Sequence, residues 1–250
     1  MAAPFSLSDY IYAHRGLWSA DGPPENSLAA FRAAADIGMG LEFDVRLSAD
    51  GIPMCFHDRT LERMTGIEGA FGDATAAALS KTVLLESDET IPTLETLLST
   101  WQRDLPLLVE MKALDGPAEA LAEAVATALT AYTGRAAAMS FNPEAVAMLP
   151  KALPRGLLID KTEKTGSERF ETAMEQALDL QVDYLSVWHT DAPLAATFAQ
   201  AHGLGLVVWT VKTPEQAAAA APHVDAQIIE GFDPTLVQPS RQRYIAAQHG

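Results

Sequence analysis

Cysteine is almost absent from this sequence: of 250 residues, only Cys55 carries a thiol. One cysteine excludes an intrachain disulfide and any multi-cysteine zinc or iron–sulfur centre. Cations are also scarce, with 17 lysines and arginines against 33 acidic residues and a formal net charge of −16. That deficit sets the chain apart from nucleic-acid binders and from proteins that dock on anionic membrane surfaces, because both present basic patches. No apolar run reaches the ~20 residues of a bilayer-spanning helix, so membrane insertion is not expected. Residues 1–9 have neither a basic start nor an apolar stretch, so the expectation is a cytoplasmic protein without a secretory leader. An anionic substrate would need local positive charge or a bound metal to offset the global field. The sequence carries no signal for an oligomeric state.

What is present is a globular chain, 48% apolar and long enough to bury a full core without covalent staples. Short apolar runs alternate with alanine-rich helical stretches. Strands are predicted at 10–14, 41–47, 53–57, 107–111, 137–141, 156–159, 183–187, 206–211 and 227–230, and helices at 27–37, 94–103, 118–130, 143–149, 168–180, 193–201 and 214–220. Asn26 is the expected N-cap of the first helix, and Pro143, Pro193 and Pro214 suit first-turn positions. Strand–helix alternation over this length predicts an α/β fold, a closed (β/α)8 TIM barrel forming one domain over residues 1–250. One connection does not fit a parallel crossover. Only Ser48-Ala49-Asp50-Gly51-Ile52 separates 41–47 from 53–57, and Asp-Gly signals a hairpin. These two strands therefore read as antiparallel, which leaves eight parallel strands for the barrel. Residues 58–90 have weak periodicity and read as a small cap-like insertion after the second barrel strand.

Active sites of such barrels lie at the C-terminal ends of the strands. His14-Arg15-Gly16 ends the first strand, Glu42 and Asp44 share a face of the second, and Glu110 and Lys112 share a face farther on. The hairpin returns to His57-Asp58, with His57 expected opposite Glu42. Singly, each has a plainer reading: an arginine after a strand is usually a surface ion-pair partner, and Glu42-Phe43-Asp44 suits a half-exposed strand. Their convergence on one rim argues for chemistry, since charges at the inner face of a closed barrel are costly unless paired or metal-bound. Three carboxylates repel one another and call for a cation, and oxygen-only ligands suit Mg²⁺, Mn²⁺ or Ca²⁺. His14 and His57 could then serve as general acid and base, and Arg15 has the fork that grips phosphate. Together these describe metal-assisted attack on a phosphodiester. Trp209 and Trp188 are expected as apolar walls of the mouth or as core. His189, His202, His223 and His249 are expected at the surface, and Cys55 as a small strand residue.

With these motifs in order, the chain resembles the glycerophosphodiester phosphodiesterase family. The matching stretches are Ala13-His14-Arg15-Gly16, Pro24-Glu25-Asn26-Ser27, Leu41-Glu42-Phe43-Asp44-Val45, Asp50-Gly51 leading to His57-Asp58-Arg59-Thr60-Leu61, Ile91-Pro92-Thr93-Leu94, Glu110-Met111-Lys112, Ser140-Phe141 and Val208-Trp209-Thr210-Val211. The resemblance implies cleavage of glycerophosphodiesters, a small-molecule substrate class, to glycerol 3-phosphate and an alcohol. It implies His14 and His57 as the acid–base pair, Glu42, Asp44 and Glu110 as metal ligands, Arg15 and Lys112 at the phosphate, and 58–90 as the cap. Trp209 is the expected substrate-facing aromatic. Two positions depart from the family pattern. Lys212 stands where Asn is usual, and Ile229-Glu230-Gly231-Phe232-Asp233-Pro234 replaces Thr-Asp-x-Pro. The alternative readings are an inactive barrel that binds a phosphodiester or a protein partner, which loss of a histidine or ligand would favour, and a zinc hydrolase, for which the usual His-x-His is absent.

Overall fold

A computed structural model describes residues 5–8, 10–85, 87–102 and 104–237. The strands are β1 (Tyr12–His14), β2 (Gly40–Leu47), β3 (Pro53–Cys55), β4 (Leu107–Met111), β5 (Ala136–Ser140), β6 (Arg155–Ile159), β7 (Tyr184–Trp188), β8 (Gly205–Val211) and β9 (Ala226–Ile229). Eight of them pair in parallel and close on themselves in the order β1-β2-β4-β5-β6-β7-β8-β9, with β1 hydrogen-bonded to both β2 and β9. The ninth, β3, runs antiparallel to β2 outside the ring, with Val45 opposite Cys55. The helices are α1 (Leu28–Asp36), α2 (Glu62–Thr65), α3 (Ala76–Leu79), α4 (Leu94–Thr100), α5 (Ala118–Ala131), α6 (Pro143–Met148), α7 (Thr162–Thr165), α8 (Ser167–Asp179), α9 (Ala192–His202) and α10 (Pro214–Ala220). Among the described residues, no helix is long and apolar enough to cross a membrane.

Side-chain alternation along each strand divides the molecule into two apolar layers. Outward residues such as Leu41, Phe43, Val109, Leu157, Leu185 and Val208 are buried with the helices in the main core. Inward residues, including Tyr12, Leu108, Met139, Leu158, Tyr184, Val207 and Ile228, fill the barrel lumen. Two glycines make room for the lumen's rings. A Cβ on Gly40 would lie 2.7 Å from the Tyr12 ring, and one on Gly156 would lie 2.2 Å from the Tyr184 ring. Phe5, Leu7 and Tyr10 pack on the same lumen cluster near the N-terminal ends of the strands. The acidic residues of β2 and β4 lie toward the opposite mouth.

Two local expectations change. Ser27, not Asn26, caps α1, its hydroxyl accepting from the Ala30 amide. Asn26 is held in left-handed backbone (φ 56°) and spends its side chain on Asp44. The hairpin register also shifts by one residue. Pro53 pairs with Leu47, and the Phe56 amide donates to the Asp44 carbonyl, so His57 follows the residue opposite Asp44 and stands beyond the end of β3 rather than opposite Glu42. Between β3 and α4 the chain makes an excursion containing α2 and α3, with an apolar cluster of its own built on Met54, Phe56, Leu61, Met64, Phe71, Leu79, Leu84 and Ile91.

Candidate active site

Glu42 and Asp44 occupy alternate, inward positions of β2, and Glu110 stands beside Asp44 on β4. All three are buried, with relative exposures of 1%, 0% and 8%. One oxygen from each lies within 4.8 Å of the others. Three buried carboxylates at this spacing repel, and the strain falls on Glu42. Burial, then the charges of Asp44 and Glu110, push its carboxyl well above the ordinary range. Burial acts on Asp44 in the same direction, but Arg15, Lys112 and the two histidines outweigh it and hold that carboxyl far below the ordinary range.

The cations come from the same strand ends. Lys112 donates to Glu110 at 2.6 Å and lies 3.4 Å from Asp44. Burial alone would lower its ammonium, yet Glu110 and Asp44 raise it. Arg15 adopts left-handed backbone (φ 57°), which turns its amide toward Glu42 at 3.2 Å and its Nε toward Asp44 at 3.2 Å. Gly16 follows at φ 86°, where a Cβ would meet Ala30 at 2.8 Å, so α1 packs directly on this turn. Asn26 locks Asp44 from the other side, donating from Nδ2 at 2.9 Å and accepting the Asp44 amide at 3.2 Å.

The group fits a hard divalent cation. Its donors are all oxygens, and Asp44 Oδ1 is buried without a hydrogen bond, its nearest cation being Lys112. Three carboxylates against one guanidinium and one ammonium leave a single negative charge. A divalent ion would turn that into a single positive charge, the complement of a phosphodiester.

Both histidines present Nδ1 to a carboxylate. His14 Nδ1 bonds Glu230, and its Nε2 lies 3.9 Å from Glu42. His57 Nδ1 is 2.7 Å from Asp58. Burial, only partly opposed by Asp44, lowers the His57 imidazole below the ordinary histidine range. Burial would raise Glu230, but hydrogen bonds from His14 and Lys212 hold it at about 2. Lys212 Nζ lies 2.8 Å from Glu230, so the two departures from the family pattern meet each other. Trp209 points into the mouth from β8, packed edge-on against Phe141 (5.4 Å) and Trp188 (5.3 Å). Lys161 sits 4.9 Å over the Trp188 ring.

Every residue singled out in the sequence thus lies at one end of the barrel: His14, Arg15, Glu42, Asp44, His57, Glu110, Lys112 and Trp209. Sequence reasoning missed the groups that hold them, namely Glu230, Asp58, Glu25, Asn26 and Arg63. For Glu230 a signal existed, since Ile228 and Glu230 alternate onto the lumen face of the last strand. His202 is exposed, His223 is half-buried, and half-buried His189 packs on the Trp188 ring (4.7 Å) beside the mouth, while His249 lies outside the described residues.

The sequence profile of the glycerophosphoryl diester phosphodiesterase family matches residues 14–229. Glycerophosphodiester phosphodiesterase 1 of Bos taurus is 28% identical over 254 residues, covering 87% of this chain and 76% of the relative. Probable glycerophosphodiester phosphodiesterase 1 of Mycobacterium tuberculosis is 30% identical over 191 residues, covering 66% of this chain and 69% of the relative. Among solved structures, a phosphodiesterase of Oleispira antarctica in complex with the product sn-glycerol-3-phosphate superposes with a TM-score of 0.75 at 24% identity, over 95% of this chain and 96% of that one. A glycerophosphodiester phosphodiesterase of Thermotoga maritima gives 0.73 at 25% identity, over 95% and 98%. By profile, sequence and barrel alike, this chain belongs to the glycerophosphoryl diester phosphodiesterase family.

Proposed function

We propose that the protein is a divalent-metal-dependent phosphodiesterase that hydrolyses glycerophosphodiesters to glycerol 3-phosphate and an alcohol, with His14 and His57 as the acid–base pair. One observation carries the reading: two histidines, each anchored through Nδ1, stand around a buried three-carboxylate cluster with Arg15 and Lys112 beside it. The product held by the Oleispira antarctica enzyme supports the substrate class.

Glu42, Asp44 and Glu110 would hold Mg²⁺, Mn²⁺ or Ca²⁺, which would stabilise charge on the phosphoryl oxygens. Arg15 and Lys112, beside these carboxylates, meet the phosphate. Anchoring Nδ1 fixes each imidazole ring and turns Nε2 toward the site. One histidine takes the proton from the nucleophile and the other gives one to the leaving alkoxide. Trp209, with Phe141 and Trp188, offers an apolar wall to the carbon skeleton of the substrate. Residues 58–90 form a cap that borders the His57 side of the mouth.

A product assay tests this. Glycerophosphocholine, glycerophosphoethanolamine and bis(p-nitrophenyl) phosphate are incubated with the protein, with and without EDTA. The expected result is release of glycerol 3-phosphate from the natural diesters, abolished by chelation and restored by Mg²⁺, Mn²⁺ or Ca²⁺. Full activity in metal-stripped protein, or no cleavage of any diester, overturns the reading.

A further inference from the structure

Within the excursion between β3 and α4, Arg63 on α2 reaches back to the site. Its guanidinium engages two carboxylates at once. Nη2 and Nη1 donate to the two oxygens of Glu25 at 2.6 and 3.1 Å, and Nε donates to Asp58 Oδ2. The other oxygen of Asp58 holds His57 Nδ1 at 2.7 Å. Glu25 Oε1 also accepts from Arg15 Nη1 at 2.9 Å, and Arg15 Nε lies 3.2 Å from Asp44. A continuous chain of charged groups therefore runs His57–Asp58–Arg63–Glu25–Arg15–Asp44, with Arg63 at its middle.

This differs from an ordinary surface ion pair, which contributes little because both ends are solvated and free to move. Glu25 is 5% exposed, so its charge is held by the two arginines rather than by water. Asp58 is adjacent to His57 in sequence, and without its second partner its carboxylate is free to rotate away from the ring. A guanidinium can satisfy both carboxylates only when all three groups lie in one fixed arrangement. A lysine could serve one of them.

We propose that Arg63 is a positioning residue for two groups together: through Asp58 it sets the His57 ring, and through Glu25 it sets the Arg15 guanidinium. The excursion then braces the proton-transfer side of the site against the phosphate side. This rests on the reading that His57 moves a proton and that Arg15 meets the phosphate.

The test compares Arg63→Ala and Arg63→Lys in the metal-loaded protein, alone and combined with Asp58→Asn or Glu25→Gln. On glycerophosphocholine, Arg63→Ala is expected to lower kcat and raise KM, each on the order of 10-fold, as loss of a supporting partner does. The two effects should separate by background. With Asp58→Asn already present, Arg63→Ala should leave kcat unchanged and still raise KM. With Glu25→Gln present, it should leave KM unchanged and still lower kcat. Losses that simply multiply on both backgrounds, or a single variant within twofold of the parent in both constants, overturn the proposal. Arg63→Lys keeps the charge and stem; if Arg63→Ala does not fold, it carries the same comparisons, and full recovery by lysine also overturns the argument from the fork. A second readout does not depend on turnover. In protein labelled with ¹⁵N-histidine, the ring nitrogen signals of His57 should move in either variant while those of His14 stay. If glycerophosphodiesters are not cleaved but His57 moves, the functional reading fails and the brace stands. If they are cleaved and His57 does not move, the brace fails alone.

Discussion

Each of the two histidines holds a carboxylate at Nδ1, and each of those carboxylates holds a cation in turn. His14 reaches Lys212 through Glu230, and His57 reaches Arg63 through Asp58. A general acid or base contributes ~10²–10⁴ in rate. His14→Ala and His57→Ala should each lose that much turnover on a natural diester while metal affinity is kept, which calorimetric titration checks. On bis(p-nitrophenyl) phosphate, whose leaving group needs little protonation, the variant lacking the general acid should recover most of its rate and the other should not. Glu42 gives a different test. Its folded value is raised, so it favours the folded state below about 4.3, its unfolded value, and that contribution is lost as pH climbs through the folded value. Metal-free Glu42→Gln should therefore match its parent near pH 4 and melt higher at pH 8, where unfolding of the parent is favoured by ionisation of this carboxyl in water. A gain of about 1 kcal/mol corresponds to ~2–4 °C in a chain of this size. Equal melting temperatures at both pH values would falsify the assignment of repulsion to Glu42.

At the level of strands and helices, the periods in the sequence carried most of the barrel. Helix α10 begins and ends where its alanine run and Pro214 place it, and β4 matches its apolar run at both ends. The Asp50-Gly51 turn separates β3 from the ring, with Gly51 at φ 78° as such a turn requires. Alternation places Glu42 with Asp44, and Glu110 with Lys112, on a shared face of their strands. The misses share a physical cause. Asn26 reads as a cap because its residue type suits one, but its side chain is claimed by Asp44, 18 residues away. Glu230 meets a histidine 216 residues distant, and such a pairing leaves no local pattern. The short α7 lies on a loop where no apolar stripe marks it, and none of its residues is buried. The lumen itself can be tested at Gly156, near the N-terminal end of β6. An added methyl there would press on the Tyr184 ring at 2.2 Å. Overpacking of this kind costs ~1–3 kcal/mol. Gly156→Ala should lower the melting temperature while kcat stays near the parent's, since the mouth is at the other end of the strand. A fall in kcat with unchanged stability would contradict the separation of lumen and mouth.

Across the whole molecule, acid outweighs base. The net charge is −16, and the cations at the C-terminal ends of the barrel strands stand beside carboxylates: Arg15 by Glu25 and Asp44, Arg46 by Asp115, Lys112 by Glu110 and Lys212 by Glu230. An approaching anion is repelled at long range, and a bound divalent ion would make the mouth attractive at short range. Screening reaches ~30 Å at 0.01 M salt and ~10 Å at 0.1 M. Added salt should therefore remove the long-range repulsion first. Between low and physiological ionic strength, kcat/KM for anionic glycerophosphoglycerol is expected to rise, while zwitterionic glycerophosphocholine stays nearly flat; stopped assays at fixed metal concentration measure both. A fall for the anionic substrate over this range would mean that the mouth alone governs approach. Ring closure carries a consequence for synthesis on the ribosome. Both histidines and the three clustered carboxylates are translated by residue 110, but β1 gains its second neighbour, and His14 its carboxylate, only when β9 and Glu230 emerge. The surroundings of His14 are therefore completed by the last barrel strand to be made, and a chain stopped short of β9 lacks the carboxylate that fixes that ring.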